Sequence, residues 1–215
     1  MPLAIDHLVY ATPDLDSSVA ELGRRLGVTA MPGGRHVGRG THNALLHLGG
    51  RTYLEIIGPD PSQALAPGTP MPFGLEERTE AGLVWFAVAC PNLAIVVDRL
   101  RRGGFEAGDS FDMQRARPDG VLLRWQLSSR PQIPEGGTEP FLIDWLDSPH
   151  PALDTPRGVT LRRLDLHHPD PDRVRRYLSL LSDDPDPGPE VMVSAAGTAG
   201  LMAQLDTPNG TVELV

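Results

Sequence analysis

One short pattern occurs three times in this sequence at a constant spacing. Each copy is an apolar run that ends near a proline and an Asp or Asn, and a segment with helical periodicity follows it. The copies are marked by His7, Trp85 and Arg163, which lie 78 positions apart (85 − 7 = 78; 163 − 85 = 78). The pattern predicts a repeated strand–turn–helix unit, and the function is expected where the copies face one another.

Short strands are predicted to follow the helix of each copy. The glycines at 49–50 supply the positive φ that a two-residue hairpin turn requires. The predicted strands are 3–11, 44–48, 52–57, 83–90, 141–145 and 159–167, with further pairs of strands around 118–120 and 208–210, and the predicted helices are 15–26, 92–102 and 171–181. Two connectors rich in proline and glycine, 59–81 and 146–158, are predicted to be surface loops.

The composition excludes several classes of partner. The 215 residues are 40% hydrophobic, which is enough for a core, and the formal net charge is −9 with no basic block. Binding of nucleic acid or of an anionic membrane surface is therefore not expected. One cysteine excludes an intrachain disulfide, and no segment has the pattern of a signal peptide or a membrane span. The expected location is the cytoplasm.

The tandem modules carry a family resemblance. A repeated βαβββ module with His7 in its first strand and Glu55 in its last resembles the vicinal-oxygen-chelate superfamily of glyoxalase I, extradiol dioxygenases and bleomycin-resistance proteins. Segments 32–36, 40–45, 53–55 and 140–145 resemble its glyoxalase-like-domain branch. The resemblance implies an α+β fold in which tandem βαβββ modules form a curved mixed sheet around an open cleft, with the helices on the outside.

The repeat also sets the predicted domain organisation. The first module is expected at 1–60 and the second at 82–147, so that 1–150 together form the glyoxalase-like core. A third and more divergent module is expected at 157–215. Because the third module has no counterpart, we expect it either to pack on the second or to pair across the axis of a homodimer.

The resemblance implies four cleft positions that bind a divalent ion in metal-using members, one from the first and one from the last strand of each module. The first module offers His7 and Glu55. The second module has Trp85 in its first strand. Two ways of counting assign different residues to the position in its last strand. Counting from the hairpin glycine gives Arg124, whose guanidinium has no lone pair for a metal and could pair with Glu55. Counting by strand order gives Asp144.

The two counts lead to different expectations for a metal. With Asp144, a site of His7, Glu55 and Asp144 could form, which His36 could join, and two histidines with a carboxylate would suit Fe(II) or Mn(II). If Arg124 occupies the last-strand position, only His7 and Glu55 match the metal-ligand pattern of the superfamily. We expect no tightly bound cofactor, since structural and catalytic metal sites use three or four protein ligands. A divalent metal of unassigned identity is the alternative.

Candidate site residues follow from the strand pattern and the resemblance. A carboxylate on the concave face of a sheet needs a partner or a ligand, so Glu55 and His7 are the candidate catalytic residues. Their alternatives are a water-exposed edge glutamate and a hydrogen-bonded core histidine. The candidate substrate-binding residues are His36, Thr41, Asn43, Trp85, Arg124, Trp125 and Asp144.

Two functions from different classes remain open. One is an enzyme, a lyase, isomerase or dioxygenase, in which Glu55 acts as base on a small substrate with a carbonyl or carboxylate group and Arg124 stabilises the developing charge. The other is a metal-free protein of the bleomycin-resistance type that binds or sequesters a small molecule on its tryptophans. A small-molecule ligand is expected in both.

Overall fold

The structure is a computed structural model, and it describes residues 3–66, 68–116, 120–130, 132–181 and 188–215. These residues form three α-helices and twelve β-strands. In chain order they are β1 (Ile5–Ala11), α1 (Leu15–Leu26), β2 (Met31–His36), β3 (Thr41–His47), β4 (Tyr53–Pro59), β5 (Gly82–Ala89), α2 (Leu93–Arg102), β6 (Asp109–Ala116), β7 (Leu122–Ser129), β8 (Phe141–Asp144), β9 (Thr160–His168), α3 (Pro171–Ser179), β10 (Glu190–Ala195), β11 (Gly200–Thr207) and β12 (Gly210–Leu214).

Helix α1 shows why the elements begin and end where they do. The Asp14 side chain accepts a hydrogen bond from the backbone N–H of Ser17 at 3.0 Å, which satisfies a donor that the first turn leaves free. Gly27 ends the helix in the left-handed conformation, with φ of 72°. Leu22 and Leu26 lie on the buried face. These boundaries agree with those that the capping residues and the periodicity predict.

Strands β1 to β8 form one mixed sheet in the order β2-β3-β4-β1-β5-β8-β7-β6. The last strand of each module runs parallel to the first, since β4 pairs with β1 and β8 with β5. Strands β1 and β5 are antiparallel neighbours, and His7 lies opposite Ala87 while Val9 lies opposite Trp85. Exchanging the two modules at the 78-residue spacing turns the first of these pairs into the second, so β1 and β5 are related by a local two-fold axis.

The sheet curls, and its two faces bury different cores. Leu8 and Tyr10 of β1 point to the outer face, where the helices cover the larger core. Val9 points to the concave face and belongs to a second, aromatic-rich cluster. The edge strands β2 and β6 contact each other. There the Arg39 guanidinium lies 5.6 Å from the centre of the Phe111 ring. The curved mixed sheet with external helices is the fold that the sequence predicts.

Strands β9 to β12 form a separate sheet in the order β10-β9-β11-β12. It packs on both preceding modules, because its apolar residues share the larger core with theirs. The N–H of Leu161 donates to the carbonyl of Leu48 at 2.8 Å, and the hydroxyl of Tyr177 donates to the carbonyl of Pro140 at 2.9 Å. Packing on the second module, the first of the two predicted arrangements, is observed, and the third module contacts the first module as well. A homodimer stays a prediction.

Some segments differ from the sequence-based expectation. His36 lies in an edge strand, β2, and strand β10 was not predicted. The connectors are only partly surface loops, since Phe73 reaches the cleft and His150 is buried. The turn predicted around 118–120 falls largely on residues 117–119, which lie outside the described residues. Among the described residues, none of the helices has the length and apolar character needed to cross a membrane.

Candidate active site

The concave face of the eight-stranded sheet encloses a cleft of about 640 Å³. Its walls differ in character. The first module supplies a polar wall from β1 to β4. The second supplies a wall of aromatic and aliphatic side chains, together with the charged side chains of Arg101, Glu106, Asp109, Arg115 and Arg130. The predicted site residues that line the cleft are His7, His36, Thr41, Asn43, Glu55, Trp85 and Trp125. The structure thus brings seven of the nine candidates together.

Glu55 lies at the centre of the polar wall. It is 8% exposed, and its Oε1 accepts a hydrogen bond from Asn43 Nδ2 at 2.5 Å. Two imidazoles flank the carboxylate: Glu55 Oε2 lies 3.8 Å from His7 Nε2, and Oε1 lies 3.8 Å from His36 Nε2. A buried carboxylate with two titratable neighbours has the surroundings of a proton-transfer site, and the exposed edge position is excluded.

Asp6 contacts the Nδ1 side of the His7 ring. The Nδ1 of His7 lies 2.7 Å from Asp6 Oδ1, and Asp6 Oδ2 accepts hydrogen bonds from Trp145 Nε1 and His150 Nε2, both at 2.9 Å. The N–H of Ala152 donates to Nδ1 of His150, so the proton of a neutral His150 ring is on Nε2, facing Asp6. Asp6 thus accepts from three rings, and Nε2 of His7 is left facing Glu55 and the cleft.

Asp6 is ionised in this environment. Burial raises the pKa of its carboxyl group, but the hydrogen bonds from His150 and His7 outweigh burial and lower the pKa to about 2. Asp6 and His150 were not among the predicted site residues. Asp6 lies at an irregularity in the pairing of β1 with β5, between Ile5 and His7, and such a bulge can redirect a side chain. A sequence analysis that assumes strict alternation of side chains along the strand therefore could not identify Asp6 as a site residue.

Two further groups of the polar wall, His36 and Tyr53, also have shifted pKa values. Burial lowers the pKa of His36, the charge of Glu55 opposes this shift, and the charge of Arg115 adds to it. Burial raises the pKa of Tyr53 well above its usual value, and the negative charges of Asp6 and Glu55 add to that shift. The Tyr53 ring stacks on His7 with 4.8 Å between ring centres, which fixes the imidazole plane.

The last-strand position of the second module is occupied by Phe141. In the first module Glu55 pairs with Val9 of β1, and in the second Phe141 pairs with Ala87 of β5. Val9 and Ala87 are equivalent in the 78-residue repeat (87 − 9 = 78). The four positions that hold ligands in metal-using members are therefore His7, Glu55, Trp85 and Phe141.

Both residues predicted for that position lie outside the cleft lining. Arg124 is exposed, and it lies between Leu123 and Trp125, which belong to the concave-face cluster. The expected placement of Arg124 opposite Glu55 is therefore wrong, since alternation along β7 directs it to the other face. Asp144 likewise follows Ile143, which lines the cleft, and its Oδ1 accepts the N–H of Leu146. Four arginines line the cleft, Arg39, Arg101, Arg115 and Arg130, and of these Arg115 is the buried one.

The residues present do not fit the four-ligand metal site of the superfamily. Trp85 and Phe141 have no lone pair to offer, so half of the site cannot coordinate a cation. Asp144, the expected third ligand, follows Ile143 of the cleft lining and lies on the opposite face. Within the described part of the chain, no group of three or more His, Cys, Asp or Glu side chains is arranged to hold a metal ion.

The fold and this cleft define a protein of the vicinal-oxygen-chelate type, and the sequence agrees. Residues 5–181 match the family described as Glyoxalase-like domain, so the chain belongs to that family. Its membership places the chain in the vicinal-oxygen-chelate superfamily. No curated protein matches the sequence significantly.

Similar solved structures include a hypothetical protein from Staphylococcus aureus, with 15% identity over 97% of this chain and 83% of that chain and a TM-score of 0.59. Methylmalonyl-CoA epimerase from Mycobacterium tuberculosis has 19% identity over 68% of this chain and 89% of that one, with a TM-score of 0.42. A variant of the Streptomyces coelicolor methylmalonyl-CoA epimerase has 18% identity over 67% and 98%, with a TM-score of 0.43. The first of these structures shares the fold of this chain.

Proposed function

We propose that this protein is an enzyme that transfers a proton on a small substrate bearing a carbonyl or carboxylate group, with Glu55 as the base. The observation that supports this proposal is the placement of Glu55, buried between the Nε2 atoms of two histidines on the wall of the cleft. A carboxylate shielded from water and adjacent to titratable partners is suited to general acid–base catalysis.

The proposed step is removal of a proton from a carbon next to a carbonyl group. The C–H bond breaks, Glu55 Oε2 takes the proton, and the electron pair moves onto the carbonyl oxygen to form an enolate. Glu55 then returns the proton to a carbon of the substrate. The buried Arg115 supplies the positive charge that favours the enolate, in place of Arg124.

His7 has a supporting role in this proposal. Asp6 holds Nδ1 of His7 and orients the ring, so that the other nitrogen is presented to Glu55 and the cleft. This is the relation that an aspartate has to a catalytic histidine in hydrolase triads, where the carboxylate fixes the tautomer and the orientation of the ring. His7 Nε2 can then exchange a proton with Glu55 or with the substrate between turnovers.

A second candidate function is sequestration of a small molecule without chemistry. The observation that favours it is the replacement of half of the chelating positions by the rings of Trp85 and Phe141. A cleft with aromatic rings on one wall and polar groups placed to orient a ligand is typical of a small-molecule binding site. In that case Glu55 would orient the ligand by a hydrogen bond.

Replacement of Glu55 by glutamine separates the two functions, because the amide keeps the shape of the carboxylate and loses the base. Small ketones and 2-oxo acids are incubated with the protein in D₂O, and proton NMR follows exchange of the C–H next to the carbonyl. We expect exchange with the wild type and a loss of about 10²- to 10⁴-fold in Glu55→Gln. Ligand affinity, measured by calorimetry, is expected to change little.

Glu21→Gln on the outer helix α1 is the matched control and should retain full exchange. A Glu55→Gln variant as active as the wild type would remove Glu55 from catalysis. Binding without exchange in the wild type, unchanged in Glu55→Gln, would favour the sequestering function instead.

A further inference from the structure

The two halves of the cleft come from related modules but present opposite chemistry. At equivalent first-strand positions the first module has His7 and the second has Trp85, and at equivalent last-strand positions they have Glu55 and Phe141. A symmetrical fold thus carries an asymmetrical site. A ligand that contacts both walls needs a polar end and an apolar end.

The aromatic wall presents carbon surface to the cleft. The Trp85 indole N–H donates to the backbone carbonyl of Glu139 at 2.8 Å, and the Trp145 N–H donates to Asp6 at 2.9 Å. These two polar edges are therefore satisfied by the protein and are not available to orient a ligand by hydrogen bonding. What remains toward the cleft favours apolar and stacking contact.

The rings of this wall are arranged as two contacting pairs. Trp85 and Phe141 have 4.9 Å between ring centres at an interplanar angle of 61°, and Trp125 and Trp145 have 5.1 Å at 41°. Close edge and tilted contacts of this kind hold each ring in place. These contacts hold the four rings as one surface, which reduces the entropy lost when a ligand binds.

The size of the cleft also exceeds the needs of a small aliphatic acid. A volume of about 640 Å³ lies in the range of sites for drug-sized ligands. Met71 and Phe73 of the connector and Ile133 complete the apolar lining. A two- or three-carbon substrate would leave most of this apolar surface without contact.

We propose that the ligand is a carbonyl compound with an attached or fused aromatic ring, bound with the ring on the Trp85–Phe141–Trp125–Trp145 wall and the oxygen-bearing group toward Glu55. The choice of a carbonyl group rests on the proposed function, whereas the choice of a ring rests on the asymmetry of the cleft.

The test compares two ketones that differ only by a ring: 2-tetralone, which is a benzo-fused cyclohexanone, and cyclohexanone itself. Isothermal calorimetry measures the affinity of each for the full chain. We expect 2-tetralone to bind at least tenfold more tightly, since burial of the additional ring removes apolar surface from water. Trp125→Leu and Phe141→Leu should each reduce 2-tetralone affinity at least fivefold and leave cyclohexanone affinity within about twofold.

Phe105→Leu is the matched control, because Phe105 is as buried as Phe141 but lies in the other core, against Tyr177. It should preserve the preference for 2-tetralone, which shows that loss of a core ring alone does not change binding. Equal affinity of the wild type for the two ketones would overturn the proposal. A preference that survives in both Trp125→Leu and Phe141→Leu, or no binding of either ketone at its solubility limit, would overturn it as well.

Failure of this proposal can be distinguished from failure of the proposed catalytic function. A wild type that prefers 2-tetralone but exchanges none of its protons in D₂O supports the ring-binding wall and contradicts proton transfer by Glu55. A wild type that exchanges protons of both ketones without a preference contradicts the ring-binding wall and supports the proposed catalysis. Glu55→Gln should keep the preference and lose the exchange.

Discussion

Asp6 accepts hydrogen bonds from the rings of His7, Trp145 and His150, and so it links the polar wall, the aromatic wall and the second connector. Replacement by asparagine would leave one carbonyl oxygen for three donors and would turn an NH₂ group toward a ring N–H. We expect Asp6→Asn to lower the free energy of unfolding by roughly 1–3 kcal/mol per donor left unpaired. Urea unfolding at pH 7 measures this loss, with Asp16→Asn on α1 as the control.

The effect of the same substitution on stability has a defined pH dependence. The pKa of Asp6 is about 2 in the folded protein, below its ordinary value of 3.8. Its ionisation therefore stabilises the folded state above pH of about 4, and this contribution is lost as the pH falls through about 2. The stability difference between wild type and Asp6→Asn should shrink over that window. A difference that does not change between pH 5 and pH 2 would contradict the assignment.

At the scale of single residues, the sequence predicts some of the residues that line the cleft and leads to a wrong position for others. His7 and Glu55 were predicted because their positions in first and last strands match the superfamily pattern. Arg124 was misplaced because counting from a hairpin glycine takes β7 as the last strand, whereas β8 is the strand that pairs with β5. His150 could not be predicted, since contact with a residue 144 positions earlier leaves no local pattern.

At the scale of secondary-structure elements, the segment that leads into β8 is held in place by a buried carboxylate that pairs with two arginines. Glu139 is 3% exposed, its Oε2 accepts from Arg130 at 2.7 Å, and its Oε1 lies 2.7 Å from Nε of Arg173 on α3. The backbone carbonyl of the same residue accepts the indole N–H of Trp85. Helix α3 of the third module thereby helps to position the aromatic wall of the cleft.

Glu139→Gln should therefore be strongly destabilising, because it leaves two guanidinium groups beside a neutral amide. Breaking a buried ion pair by removing one partner typically costs about 3–5 kcal/mol. Arg173→Ala should cost less, since that side chain is 39% exposed and water can compensate Glu139 in part. Urea unfolding gives both values, and Glu135→Gln, a neighbouring exposed glutamate, is the control. A loss in Glu139→Gln no larger than in Glu135→Gln would disprove this role.

Elements with their own local signals were the ones that the sequence predicted. Helices α1 and α3 each have a capping aspartate and a clear apolar face, and β1, β5 and β9 repeat one pattern. Strand β2 escaped prediction because Pro32, Gly33 and Gly34 are residues typical of turns. It is a strand because β3 offers it a pairing partner, with an irregularity between Pro32 and Gly34. The secondary structure of this segment is therefore determined by its pairing with β3, and local residue propensities carry no information about that pairing.

On the scale of the whole molecule, the three modules share a single core. Apolar side chains from all three belong to one contiguous cluster on the outer face of the large sheet, and Leu205 of β11 in the third module is fully buried in it. By contrast, all three tryptophans of the chain line the cleft between the first two modules. Tryptophan fluorescence therefore reports on the cleft, whereas circular dichroism reports on every module.

A shared core predicts that the modules unfold together. Leu205→Ala removes buried apolar volume from the third module and should cost about 2–5 kcal/mol. If the core is cooperative, the urea midpoints by tryptophan fluorescence and by circular dichroism should both fall, and by the same amount, although no tryptophan lies in the altered module. Met192→Ala, which shortens an exposed side chain of the same module, should leave both midpoints unchanged. A fluorescence midpoint that stays at the wild-type value while circular dichroism shifts would show that the third module unfolds alone, and the cleft would then owe none of its stability to the shared core.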